Sequence, residues 1–245
     1  MRNPQDAARW RIVIGIYAVS ALAATAAAAG AVAMYHRAED AARAASTEGW
    51  KTVVNPEHGT AFDVPPGWEV AESSVVAAYP DSKDPDKVLI GHSAPAFYKH
   101  KWCSIDGNGD GVVNDHALAT VGTKGADGAR STEDVAEKTA PTWVYAAFTQ
   151  PDKRVVKWDE PVEYTTKYGV KGTYIKAHSE GAQQSTRCDG DGKAVSFGFK
   201  NSKGDLVAWD FHGRTGVPGA ISDELVMRIL STVRLAGDPK PMTPP

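Results

Sequence analysis

The residues of this chain that could do chemistry gather in two acidic, glycine-rich turns and at one serine-bearing strand end. Asp106-Gly107-Asn108-Gly109-Asp110-Gly111-Val112-Val113 has the spacing of the first half of a calcium loop. Asp106, Asn108 and Asp110 place oxygens at alternate positions toward a common centre, and Gly111 permits the sharp turn such a loop needs. The twelfth position should carry a bidentate acid but carries Ala117, and Asp115 falls two places early. The plainer reading is a flexible Asx/Gly turn. A second acidic turn, Asp189-Gly190-Asp191-Gly192, follows Cys188 directly, and either aspartate could supply the missing carboxylate. The expectation is therefore no obligate cofactor. The metal reading is a weak calcium site of Asp106, Asn108, Asp110, Asp189 and Asp191, in the range of about 0.1–1 mM typical of extracellular loops.

Leu89-Ile90-Gly91-His92-Ser93-Ala94-Pro95 reads as a strand running toward a hydrolase nucleophile elbow. That elbow needs G-x-S-x-G for its tight strand-to-helix turn. Here the fifth position is Pro95 and no helical pattern follows, so an exposed serine on a strand is the expectation and a Ser93 nucleophile the alternative. The seven histidines, His36, His58, His92, His100, His116, His178 and His212, form no H-E-x-x-H or other zinc spacing. No Walker or dinucleotide glycine pattern occurs, and no catalytic residue is assigned. Trp68, Trp143 and Trp209 lie on regular elements and read as core. Trp50, Trp102 and Trp158 read as core or rim, with a carbohydrate- or peptide-binding surface as the sharper alternative.

The address of these groups is set by Ile12 to Met34, 23 residues without a charged side chain. A helix of that length spans the hydrocarbon core of a bilayer and satisfies its own backbone there. Arg2, Arg9 and Arg11 precede the run, opposed only by Asp6; Arg37 and Arg43 follow it, diluted by Glu39 and Asp40. The positive-inside bias then leaves the N-terminus in the cytoplasm and the bulk of the chain outside the cell. Ala31-Val32-Ala33 is also an A-x-A site, so the rival reading is a signal peptide cleaved after Ala33. The apolar run exceeds the usual signal-peptide length, which favours the anchor.

The organisation expected is a cytoplasmic N-terminus 1–11, a transmembrane helix 12–35, a helical stalk 36–49, one outer domain 50–236 and a disordered Pro-rich tail 237–245. The tail has four prolines in nine residues. A net charge of −3 with no basic run after the anchor excludes a nucleic-acid partner as the expectation. The partners left are the membrane, through 12–35, and an unknown envelope protein or ligand. Cys103 and Cys188, an even pair in an oxidising compartment, are most simply a disulfide. Their bridge would close a loop of roughly 86 residues, which the chain-entropy model values at about 4–5 kcal/mol before strain. A free buried pair and a metal site are the alternatives, and the absence of C-x-x-C weighs against zinc.

Trp50–Val54, Ala61–Val64, Trp68–Val70 and Val88–His92 read as strands, with Ala96–Tyr98 continuing the last. Gly107 to Gly128 reads as a long loop. Ser131 caps a helix whose stripe is Val135, Ala136, Ala140, Trp143, Val144, Ala147 and Phe148, with Pro141 expected to kink or split it. Pro161–Thr166, Gly172–Ala177, Val195–Phe199 and Leu206–Phe211 read as strands, the last two joined in a hairpin by Asn201-Ser202-Lys203-Gly204-Asp205. Ser222 caps a final helix with Leu225, Val226, Ile229, Leu230 and Val233 on one face. Hairpins without βαβ alternation predict an antiparallel sheet covered by helices.

At its two ends the chain resembles a family. Asn55-Pro56-Glu57-His58-Gly59-x-x-Phe62-x-Val64-Pro65-Pro66-Gly67-Trp68 is similar to the opening of PsbP-like domains, and Ile229-Leu230-Ser231-Thr232-Val233-Arg234 to their closing helix. The whole layout resembles uncharacterised single-pass membrane proteins of high-GC Gram-positive bacteria with one such outer domain. The resemblance implies an α+β fold class: an N-terminal transmembrane helix followed by a PsbP-like α/β sandwich with a central antiparallel sheet. It implies no activity but a non-enzymatic binding or accessory protein of unknown ligand; the residues themselves leave a cell-envelope hydrolase using Ser93 and a calcium-stabilised structural domain as alternatives.

Overall fold

Strand alternation in this chain separates two kinds of side chain. Along Leu206–Arg214 the large apolar residues Val207, Trp209 and Phe211 alternate with Ala208, Asp210 and His212, and all six are buried. A strand whose two faces are both covered belongs at the centre of a sheet. The computed structural model of the protein describes residues 47–106, 111, 113–126 and 128–240.

The strands run in chain order as β1 (Lys51–Asn55), β2 (Thr60–Val64), β3 (Trp68–Val70), β4 (Val76–Asp81), β5 (Asp84–Tyr98), β6 (Cys103–Ile105), β7 (Asn114–His116) and β8 (Ala119–Gly125). Helix α1 (Thr132–Val144) follows and passes into a π-helical turn, Tyr145–Thr149. Then come β9 (Val156–Trp158), β10 (Val162–Thr165), β11 (Lys171–Ser179), β12 (Gly192–Lys200), β13 (Leu206–Arg214), helix α2 (Asp223–Ser231) and β14 (Arg234–Leu235). The main sheet has the order β10-β11-β12-β13-β8-β5-β3, with β4 added on β5 and β9 on β11. A smaller sheet has the order β1-β2-β14, and β6 pairs with β7. All pairings are antiparallel, as the hairpin pattern predicts.

One face of the main sheet carries the aromatic core. Phe197, Phe199, Trp209, Phe211 and Val121 pack there with Phe62 and Val64 of β2, Trp68 of β3 and Val226, Ile229 and Leu230 of α2. The opposite face carries smaller residues, Ala194, Ile175 and Ala177, against Ala136, Ala140, Trp143 and Val144 of α1. Small residues let the helix come close: a Cβ on Gly198 would lie 2.2 Å from the Thr132 carbonyl oxygen.

Both predicted caps form. Ser131 Oγ accepts from the Asp134 amide at 3.0 Å, and Ser222 Oγ accepts from the Leu225 amide at 3.3 Å. The Asp134 carboxylate reaches back to the Arg130 amide rather than to Ser131. The 201–205 hairpin is held by Asn201, whose Oδ1 accepts from the amides of Lys203 and Asp205.

Several elements differ from expectation. The final helix stops at Ser231, and Arg234, read as its continuation, lies in β14. The segment 107–128 is not one long loop, because β7 and β8 lie within it and β8 sits centrally between β13 and β5. Its glycines masked a β-branched alternation of Thr120, Val121 and Thr123. Gly122 is required there by packing, since a Cβ would lie 2.7 Å from the His92 ring. Strand β4 went unread in the sequence; Pro80 and Asp81 interrupt its register. Pro141 does not split its helix, which continues to Val144 before widening into the π-turn.

Glu48–Gly49 forms a turn before β1. Gly237–Lys240 is tied down: Ser202 Oγ donates to Gly237 O and Asp238 Oδ1, and the Lys240 amide donates to Pro56 O. Among the described residues no helix is long and apolar enough to cross a membrane; the predicted span 12–35 lies outside them.

Candidate functional site

Ser93 lies on β5 beside a bulge marked by Ala94, whose φ is 49°. The serine is not exposed as expected but 6% accessible. Its hydroxyl donates to Glu57 Oε2 at 3.0 Å and accepts from Asn55 Nδ2 at 2.9 Å. Asn55 Nδ2 also donates to Thr123 Oγ1 at 2.7 Å, which shares a hydrogen bond with Thr60 Oγ1. The network ties the β1–β2 turn to β5 and β8. His58 Nε2 lies 3.7 Å from the same Glu57 oxygen. The order is serine, acid, histidine, whereas base catalysis needs the imidazole on the serine. β5 also runs on to Tyr98 with no strand-to-helix elbow.

Cys103 and Cys188 form the predicted disulfide, with Cα atoms 5.6 Å apart. Arg187 Nη2 donates across this rim to Ser104 O at 2.6 Å. Asp106 Oδ2 accepts from the Gly111 amide, five residues on, at 2.9 Å. Asp189 Oδ2 accepts from the amides of Ser185 and Thr186. Asp191 accepts from Ser179 Oγ and from the amides of Ala182 and Gly181. Burial works against the Asp191 charge, but these donors hold its carboxyl below the usual range. Both carboxylates thus order loop backbone. Asn108 and Asp110 lie outside the described residues. Among the described residues no group of three or more His, Cys, Asp or Glu is placed to hold a metal ion.

The face of the sheet under α1 holds a polar cluster. His212 stacks on Trp143 at 4.3 Å with planes 10° apart, and His92 lies 4.7 Å from the same indole. The two imidazoles are 5.5 Å apart, and Tyr79 OH is 3.3 Å from His212 Nε2. Asp210 points to the same side of β13 as His212 and is fully buried. Burial lowers His212 to about 3; burial and the neighbouring His212 and Lys124 push His92 well below its ordinary value. Burial raises Asp210 to about 6, softened by Lys124, Ser196 and Trp143. Among the described residues, both nitrogens of His92, His212 Nδ1 and both Asp210 oxygens make no hydrogen bond of good geometry, though Ser196 and Trp143 lie near enough to Asp210 to act on its charge. Native interiors tolerate few such groups, and a concentration of them with shifted ionisation marks a candidate site.

A second feature lies at the end of α1. Leu89, Pro141, Thr142, Tyr145, Lys153, Val156 and Trp158 line an open groove of about 250 Å³. Trp158 is 56% exposed on β9, which is fixed by pairing Trp158 with Ala177 of β11. Lys153 Nζ sits 4.7 Å over the Tyr145 ring. Trp68, Trp143 and Trp209 are core, as predicted. Trp158 was legible as a surface candidate; His92, Asp210 and His212 were not, because a strand alternating polar and apolar residues reads as half solvated.

A family model described as a domain of unknown function (DUF8017) matches residues 43–238. No curated protein matches the chain. Among solved structures, the solution structure of cyanobacterial PsbP (CyanoP) from Synechocystis is similar at 9% identity, covering 78% of this chain and 94% of that one, with a TM-score of 0.39.

Proposed function

The chain belongs to the DUF8017 family, a domain of unknown function, and from that premise we propose that it is an extracytoplasmic binding domain. On this reading residues 12–35 tether it to the membrane, and the Trp158 groove takes a protein partner of the envelope. The carrying observation is Trp158, a large aromatic held 56% exposed on a fixed strand beside an apolar groove. Apolar surface left in water at a concave site marks binding. Lys153 at the groove favours a partner segment that joins an apolar side chain to an acidic one. The outward address is supported by the uncharged run Ile12–Met34 and by the disulfide, which persists in oxidising compartments. The commitments of Ser93 to Asn55 and Glu57 weigh against the hydrolase alternative.

The test is capture from the protein's own envelope by the full chain and by Trp158→Ala. A specific partner held by the wild type and lost by the variant is the expected result. A partner retained equally by both would remove the groove from the account.

A further inference from the structure

Arg214 closes β13 at the margin of the polar cluster. Its side chain is 6% exposed, and its guanidinium lies 5.6 Å from the Trp102 ring and 5.4 Å from the Phe148 ring. Of its five donors, Nη1 meets the Gly190 carbonyl at 3.3 Å. Among the described residues no carboxylate pairs with it at ion-pair distance; Asp189 acts on it only at longer range. A cation removed from water is costly unless a counter-charge meets it, and aromatic faces offset only part of that cost.

Beside the guanidinium is a cavity of about 20 Å³ lined by Tyr79, His116, Phe148, His212 and Gly213 with Arg214 itself. The side chains that bring polar atoms to it are a guanidinium, a phenol and two imidazoles, all able to donate a hydrogen bond. No carboxylate lines it. Among the described residues His212 Nδ1 has no hydrogen-bond partner; it is buried and belongs to a residue of this lining. A water occupies about 10–15 Å³, so the space takes a single small ion.

We propose that this cavity is a binding site for a small monovalent anion. The anion meets the fork of Arg214 and accepts from Tyr79 Oη and an imidazole N–H, completing the charge balance that the fold leaves open. A dianion is disfavoured because the lining supplies one fixed cation, Arg214. The site stands on different residues from the Trp158 groove, and neither inference depends on the other.

The experiment is thermal unfolding of the detergent-solubilised full chain in sodium formate, against sodium sulfate at matched ionic strength, in a buffer whose counter-anion is a large sulfonate. Formate should raise the melting temperature along a saturating curve, by about 3–6 °C at tenfold excess over half-saturation. Sulfate should give no saturating component. Arg214→Met should abolish the formate response. Tyr79→Phe, which keeps the ring and removes one donor, should raise the half-saturation concentration several-fold. Parallel responses to formate and sulfate in the wild type would overturn the site, as would a formate response retained by Arg214→Met. Should that variant not fold, an unchanged half-saturation in Tyr79→Phe overturns it instead.

Discussion

The two faces of the main sheet are equally buried and differently made. Toward α2 the strands present Phe197, Phe199, Trp209 and Phe211, which fill their layer with large rings. Toward α1 the same strands present Ala194, Ser196, Gly198, Ala208, Asp210 and His212. The first face is held by apolar area removed from water. The second gains close approach of the helix and accepts titratable groups without good partners, a composition that costs stability and suits a site. Burial alone therefore does not distinguish core from candidate site; the polarity of what is buried does.

The contrast predicts a graded series of effects. Phe197→Ala should be the most damaging, at about 3–5 kcal/mol by urea unfolding, because a fully buried ring leaves a cavity. Gly198→Ala should cost about 2–3 kcal/mol, since its new methyl meets the Thr132 carbonyl and Val135. A neutral result there would break the account of close helix packing.

The polar face should also respond to pH. His212 falls from 6.5 to about 3 on folding, so its contribution is intact above about 6.5 and drains as pH falls toward 3. By pH 5 the loss is about 2 kcal/mol, and His92, shifted the same way, adds to it. Asp210 rises from 3.8 to about 6, so its contribution is intact below 3.8 and lost as pH rises through 6. Melting followed from pH 8 to 4 should therefore show a shallower acid limb in His212→Gln. It should show Asp210→Asn more stable than wild type above pH 7, by about 3 kcal/mol at most, and level with it below pH 4. Equal pH profiles for all three proteins would mean that the cluster is solvated. Smallest of all, Trp158→Ala should change stability by no more than about 0.5 kcal/mol while removing partner capture.

Much of the frame was legible before folding. The caps at Ser131 and Ser222, the Asn201 hairpin and the three core tryptophans follow from local chemistry and periodicity, and each formed as read. The cysteine pair was readable as an even pair. Strand β8 was not, because Gly122 and Gly125 look like loop residues until His92 is seen to fill the space over Gly122. Ser93 looked exposed because nothing near it in sequence reveals Asn55 and Glu57, which arrive from the β1–β2 turn.

The amino-acid order by itself determined most of the antiparallel strands, the helix starts and the disulfide, since each rests on period, capping or pairing within the chain's own covalent logic. Which polar residues lie under α1, and that Arg214 ends beside a small cavity without a carboxylate, only the tertiary structure decided. Period two says that Asp210 and His212 share a face, but covering that face requires a helix some seventy residues earlier to fold back on it.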